Sequence, residues 1–98
     1  MPVAMLQDAE GFGAETYDAV NKAMAIESNP PEGLIFHTAG QANGVFRIFD
    51  VWESREAFER FERERLGPAI GKVMQDQGQE MGSPPQREFY ELHNLMKA

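Results

Sequence analysis

The dipeptide Asn43-Gly44 constrains the fold of this chain more than any other feature, because it separates two apolar runs within residues 33–54. A two-residue type I′ turn needs positive φ at both central positions, and asparagine and glycine tolerate that conformation best. The dipeptide therefore predicts a β-hairpin. Because side chains alternate between the two faces of a strand, the turn also fixes which residues share a face.

This register brings chemically useful side chains together. Counting back from the turn places His37 opposite Asp50, and Ile35 opposite Trp52, the only tryptophan of the chain. Directly opposed side chains of an antiparallel pair lie close enough to interact. A turn one residue earlier would instead move His37 beside Ile48 and separate the histidine from the carboxylate. The predicted pair therefore depends on the position of one turn.

The segments that flank the hairpin complete a regular order of elements. Residues 2–7 are typical of a short strand, and residues 14–26 carry apolar side chains at helical spacing. Ser54 is a favourable N-cap for a second helix, which the Gly-Pro pair at 67–68 kinks or restarts. Residues 87–95 alternate as a last strand. Further breaks rich in glycine and proline are a turn at 11–13 and a linker at 82–85.

The predicted order is strand, helix, strand, strand, helix, strand. It is the ferredoxin-like βαββαβ arrangement, an α+β fold in which two helices cover one face of a four-stranded antiparallel sheet. A chain of 98 residues without a break in composition forms one domain, residues 1–98. The two central strands carry apolar side chains on both sides, so we expect both sheet faces to be buried. A second copy, packed face to face, would supply the missing cover.

Composition narrows the classes of partner. The formal charge of −7 and the lack of a basic stripe argue against a nucleic-acid partner. No apolar run approaches the roughly 20 residues that span a bilayer, and no signal peptide is recognisable, so we expect a cytoplasmic protein without a membrane partner. The absence of cysteine and the spacing of the two histidines match no zinc pattern, and no metal site is predicted.

The hairpin "GLIFHTAGQANGVFRIFDVWES", the following "REAFERFERERLGPAI" and the closing "LHNL" resemble the dimeric α/β barrel superfamily. Within it they are most similar to the antibiotic biosynthesis monooxygenase-like branch. The resemblance covers residues 3–95 and implies a homodimer through the sheet faces, with a pocket between sheet and helices in each subunit. Members of the superfamily include cofactor-independent monooxygenases of polyketide-like aromatics, haem-degrading oxygenases, chlorite dismutase relatives, cyclases and muconolactone isomerases.

The chain departs from the haem-degrading members in two places. Trp52 matches a tryptophan of those proteins. Their next helix, however, carries the haem-ligating histidine where this chain has Phe58, Phe61 and Arg65. The asparagine that the resemblance leads us to expect on the first strand is also missing. Only His37 or His93 could ligate a haem from elsewhere, and we therefore expect no cofactor.

His37 and Asp50 are the candidate catalytic residues. A histidine held by a carboxylate has a fixed tautomer and orientation, which suits it as a general base near neutral pH. Its target would be an acidic C–H or phenolic O–H of a small apolar or aromatic molecule. The resulting anion could react with dioxygen without a metal, as the resemblance implies, or it could cyclise or isomerise.

Five further residues are candidates for substrate binding. The aromatic rings of Trp52, Phe36 and Phe61 could stack on a substrate, and Tyr17 and His93 could donate hydrogen bonds. Each has a structural interpretation as well, since buried aromatic residues belong to the core and His93 could fix the last strand or the dimer seam. Three functions stay open: a cofactor-independent monooxygenase, a non-redox cyclase, isomerase or hydrolase, and a non-catalytic dimer that binds a small ligand.

Overall fold

The computed structural model describes residues 2–9, 13–78 and 86–98. The predicted breaks at 11–13 and 82–85 lie largely or wholly outside these residues. The order of elements confirms the α+β ferredoxin-like arrangement. The elements are β1 (Val3–Ala9), α1 (Ala14–Met24), β2 (Leu34–Ala42), β3 (Val45–Trp52), α2 (Arg55–Phe61), a π-helical segment (Glu62–Leu66), α3 (Gly67–Asp76) and β4 (Gln86–Glu91).

The four strands form one antiparallel sheet in the order β2-β3-β1-β4. The two central strands are therefore β3 and β1, whereas the histidine-bearing β2 lies at an edge. Met5 in the middle of β1 pairs with Asp50 of β3 on one side and with Phe89 of β4 on the other. This register places Asp50 near the centre of the sheet, under the helices.

The hairpin has the predicted turn. Asn43 has a φ of 50° and Gly44 a φ of 89°, as a type I′ turn requires. The predicted pairing of His37 with Asp50 is confirmed. The edge strand thus presents its histidine to a carboxylate that the neighbouring strand holds in place.

The predicted pairing of Ile35 with Trp52 is wrong. The register shifts between Leu34 and Phe36, so that Leu34 pairs with Trp52 and Phe36 with Val51. Such a bulge places one extra residue on one strand, which restarts the alternation of faces from that point. Counting from the turn cannot detect it, because the turn fixes the register only as far as the ladder is regular.

Helix ends differ in detail from the sequence-based expectation. Helix α1 ends at Met24 rather than at residue 26, because Ala25 adopts a left-handed conformation with a φ of 53°. The Ser54 N-cap is confirmed, since its hydroxyl oxygen accepts the Ala57 backbone N–H at 3.1 Å. The predicted restart at the Gly-Pro pair is confirmed, because α3 begins at Gly67 with Pro68 in its first turn. A π-helical segment precedes it, and the wider hydrogen-bond pattern there accommodates the missing N–H donor of Pro68.

The last strand is shorter than predicted and the first strand is longer. Strand β4 ends at Glu91, and only the Leu92 backbone N–H continues the ladder, donating to the Pro2 carbonyl oxygen at 2.9 Å. Beyond that point β1 offers no further residue for pairing. His93 therefore lies outside the sheet, on an exposed part of the chain.

The two buried clusters lie on the side of the sheet that the helices cover. A first buried cluster joins the sheet to α2 through Met5, Trp52 and Phe58, and a second cluster joins α1 to α3. The opposite face of the sheet, which we call the outer face, has no helix over it in the described residues. Phe36 and Tyr90 there are 47% and 49% exposed, so the expected burial of both faces is not met within one subunit.

Candidate active site

The predicted pair forms a short hydrogen bond. His37 Nδ1 lies 2.6 Å from Asp50 Oδ1, and Asp50 is only 4% exposed. An ionised carboxylate can only accept hydrogen bonds, so Nδ1 carries the ring proton and donates it. The other ring nitrogen, Nε2, is then left with a lone pair. The imidazole thus has the tautomer that a general base needs.

Trp52 holds the second oxygen of the carboxylate. Its indole Nε1–H donates to Asp50 Oδ2 at 3.1 Å, and the Trp52 side chain is almost completely buried. Residues two apart in a strand point to the same face, which explains why this aspartate and this tryptophan meet. Both carboxylate oxygens are therefore occupied, and Asp50 is fixed in position.

Tyr17 completes the chain of hydrogen bonds from the helical layer. Its hydroxyl group contacts His37 Nε2, and the planes of the two rings are nearly parallel, with an angle of 6° between them. Since Nε2 has the lone pair, the Tyr17 O–H is the donor. Phe46 packs against the tyrosine ring with a centroid distance of 5.1 Å. We call the chain Tyr17–His37–Asp50–Trp52 the relay.

The relay borders an apolar cavity of about 80 Å³ between the sheet and the helices. Polar lining residues outside the relay are Gln7 and Asn21, and none of the described residues that line the cavity is a lysine or arginine. The cavity therefore suits an uncharged molecule with an apolar body. Its apolar lining residues are Met5, Val20, Met24, Ile26, Pro31, Leu34, Ile48, Phe58, Phe61, Leu66 and Ile70.

The structure brings some of the predicted substrate-binding residues together and not others. Trp52, Tyr17 and Phe61 line the cavity, and Phe61 packs against Trp52 with a centroid distance of 5.4 Å. Phe36 lies on the outer face, because it is adjacent to His37 in the strand and points the opposite way. His93 lies beyond the end of β4. Neither Phe36 nor His93 lines this cavity.

Sequence analysis missed Gln7 and Asn21. Gln7 is 8% exposed, and its Oε1 accepts a hydrogen bond from Arg87 Nε at 2.6 Å. Arg87 is itself held by an ion pair with Glu62. The amide nitrogen of Gln7 has no hydrogen-bond partner among the described residues, and Gln7 is one of the residues that line the cavity. Asn21 lies one helical turn after Tyr17, a spacing that would have placed it on the same face.

The described residues offer neither a metal site nor a membrane-spanning helix. Within residues 2–9, 13–78 and 86–98, no three His, Asp or Glu side chains come together as a metal site would require. In the same ranges no helix has the length and apolar character to cross a membrane.

Comparison with known proteins gives similar folds but no sequence match. No protein-family model and no curated protein matches the chain. A candidate antibiotic biosynthesis monooxygenase from Caulobacter crescentus superposes with a TM-score of 0.68, at 14% identity, over 95% of this chain and 91% of its own. A protein of unknown function from Nitrosomonas europaea gives 0.67 at 19% identity over 99% and 94%. SnoaB, a cofactor-independent oxygenase from Streptomyces nogalater, gives 0.58 at 14% identity over 97% and 94%.

The chain has the fold of these proteins. The resemblance to antibiotic biosynthesis monooxygenase-like proteins that the hairpin indicated is thereby confirmed at the level of the fold. Identities of 14% and 19% carry no activity from those proteins to this one. The chemistry of the site has to be argued from the relay and the cavity.

Proposed function

We propose that this protein is a small homodimeric enzyme of secondary metabolism that acts on neutral aromatic or polyketide-like molecules. His37 serves as the general base and Asp50 orients it. The observation that carries the proposal is the 2.6 Å contact between His37 Nδ1 and Asp50 Oδ1 at the wall of an apolar cavity. A base oriented by a carboxylate beside an apolar pocket is the arrangement that proton abstraction requires.

The reaction begins with removal of a weakly acidic proton from the substrate. The proton ends on His37, and the positive imidazolium is then balanced by the Asp50 carboxylate. A substrate carbanion can transfer electrons to dioxygen and form a C–O bond, which gives a peroxide anion. This anion takes the proton back from His37, and the resulting hydroperoxide loses water to leave a carbonyl group. This monooxygenation is carried by the substrate's own anion and needs no cofactor. It is supported by the fold shared with SnoaB, a cofactor-independent oxygenase.

The cavity orients the substrate and limits its size. The amide of Gln7 can donate to a substrate carbonyl, and Trp52 and Phe61 present aromatic surface. The volume of about 80 Å³ is small beside the roughly 300–1,000 Å³ of pockets that hold drug-sized ligands. A substrate with one ring is therefore accommodated more easily than a polycyclic one, which would require lining side chains to move.

The outer face supports a homodimer. Phe36 and Tyr90 expose apolar surface there, and a second copy would cover it. Native mass spectrometry should report two subunits, and Phe36→Glu should shift the population toward the monomer because it buries a charge in the contact. Met96→Glu, at an exposed site near the chain end, is the matched control. A wild-type protein that stays monomeric at all concentrations would contradict the dimer.

A non-redox cyclase, isomerase or hydrolase is the second candidate. The observation that favours it is the relay, which offers an acid and a base without requiring an oxidant. A non-catalytic dimer that binds a small apolar ligand is the third possibility. The three differ in what happens to the substrate after it binds.

Oxygen uptake with an anthrone and with a single-ring phenol separates these functions. We expect uptake by the wild type and a loss of about 10²–10⁴-fold in kcat for His37→Ala and Asp50→Asn. His93→Ala and Asp18→Asn change the same residue types outside the cavity and should leave turnover intact. Hydrogen exchange of the substrate without oxygen uptake would favour the non-redox enzyme. Binding without either would indicate the non-catalytic dimer, and variants that turn over like the parent would refute the pair as catalytic.

A further inference from the structure

We propose that Tyr17 is the group that exchanges the proton with the substrate, and that His37 acts as the base for Tyr17. This inference rests on the proposed function, since it assigns the proton transfer within the same site. It also names the substrate class, which is an uncharged molecule that bears a phenolic or enolic hydroxyl group.

Both ring nitrogens of His37 already have hydrogen-bond partners. His37 has one lone pair, on Nε2, and the hydroxyl group of Tyr17 already occupies it. Nδ1 is bound to Asp50. A substrate therefore reaches the imidazole lone pair only after Tyr17 has moved away. The Tyr17 oxygen, in contrast, keeps its own lone pairs, and Tyr17 is one of the residues that line the cavity.

The position of Tyr17 is set by packing. The residue lies on α1, which is anchored three residues further on by Val20, a residue that is 3% exposed and packs with α3. Phe46 packs on one side of the phenol ring. The hydroxyl group is held against His37 Nε2 by a hydrogen bond, and the planes of the two rings are nearly parallel. The arrangement is thus preformed for proton transfer.

Two protons move in the proposed transfer between the substrate, Tyr17 and His37. The substrate hydroxyl proton moves to the Tyr17 oxygen while the original Tyr17 proton moves to His37 Nε2. The products are a substrate anion, a neutral tyrosine and an imidazolium paired with Asp50, and no electron changes hands. The net transfer runs from a phenolic or enolic oxygen to an imidazole and is uphill in water, so the Asp50 carboxylate beside the imidazolium is needed to lower its cost.

The charges around the cavity select the substrate. Asp50 is the one carboxylate among its described lining residues, and both oxygens are already bound to His37 and Trp52. With no lysine or arginine in that lining, an anionic substrate would enter without a counter-charge. A neutral hydroxyl compound avoids this cost and becomes charged only when the relay accepts its proton.

A binding experiment tests the hydrogen bond without any knowledge of the natural substrate. The probes are 4-ethylphenol, its methyl ether 4-ethylanisole and the anion 4-ethylbenzoate, followed by NMR of methyl-labelled Met5 and Met24 at the cavity. We expect wild type to bind the phenol about tenfold more tightly than the ether, as one hydrogen bond provides, and to bind the benzoate most weakly. Tyr17→Phe should abolish the preference for the phenol, whereas Tyr90→Phe, the matched change on the outer face, should preserve it. Equal binding of phenol and ether by wild type would overturn the inference.

A kinetic experiment separates this inference from the proposed function. With a phenolic substrate that the wild type turns over, Tyr17→Phe and His37→Ala should each lower kcat by about 10²–10⁴-fold. The double variant should fall no further, because residues of one relay act as a unit. Normal turnover by Tyr17→Phe together with an inactive His37→Ala would overturn the role of Tyr17 and leave His37 as a direct base. If wild type turns over no such substrate, the proposed function fails, and the binding preference still decides whether Tyr17 recognises a hydroxyl group.

Discussion

Each face of the sheet carries an aspartate that is held by hydrogen bonds, and the surroundings of the two carboxylates contrast. On the inner face, Asp50 is almost completely buried and both of its oxygens are bound within the relay. On the outer face, Arg47 forms a bidentate ion pair with Asp8, in which its Nε and Nη2 donate to the two carboxylate oxygens at 2.7 and 2.9 Å. The side chains of Arg47 and Asp8 are 49% and 41% exposed. The hydrogen-bond geometry is good in both pairs, but only the inner carboxylate is withdrawn from water, since the His37 side chain is 35% exposed. We therefore expect the stability of the protein to depend more on the buried carboxylate than on the exposed one.

The largest expected effect is the loss of the inner carboxylate. Asp50→Ala leaves the buried Trp52 N–H without its acceptor and the imidazole of His37 without its partner, so we expect the free energy of unfolding to fall by about 2–3 kcal/mol. Urea denaturation measures the change. The matched variant Asp8→Ala should lose far less, because water can replace the exposed partner. Equal losses from the two variants would show that burial does not distinguish the faces.

The smaller effect concerns pH and the outer pair. The hydrogen bond from Arg47 lowers the pKa of Asp8 below its ordinary value. A carboxyl whose pKa is lower in the folded state stabilises the protein fully above its unfolded pKa, and that contribution is lost as the pH falls through the folded pKa. Asp8→Asn should therefore lower the melting temperature slightly at neutral pH and bring it closer to that of wild type in acid.

Melting curves at low ionic strength check this prediction, and Asp18→Asn serves as the control at another exposed aspartate. High salt should shrink the difference between Asp8→Asn and wild type, because both members of the outer pair face solvent. A difference that persists in acid and in high salt would mean that Asp8 acts through something other than its charge.

Sequence alone was sufficient for the part of the site that lies within the hairpin. The Asn43-Gly44 turn sets a ladder in which His37 must face Asp50, and the two-residue spacing to Trp52 places the tryptophan on the same side. These relations are local to two paired strands. The same counting failed at Ile35, because a bulge depends on how the strand end fits its surroundings.

The remaining part of the site depends on how the layers pack. Tyr17 was a candidate for substrate binding, but its hydrogen bond to His37 could not be predicted. That bond depends on how far α1 lies from the edge strand, and no pattern in the sequence indicates this distance. Gln7 was missed because an isolated amide in a strand carries no signal of the arginine that orients it. His93 was assigned to the last strand since its alternation continues in sequence, whereas the actual strand ends where β1 has no more residues to pair with.

Measuring the tautomer of His37 tests both proposals most directly. The function of His37 as a general base and the role of Tyr17 both require the ring proton to be on Nδ1. NMR of 15N-labelled imidazoles at mildly alkaline pH reports which nitrogen is protonated, and the exposed His93 provides an internal reference. We predict that His37 has a protonated Nδ1 and an unprotonated Nε2, and that Asp50→Asn, but not Asp18→Asn, disturbs this state. A wild-type His37 with its proton on Nε2 would contradict the account.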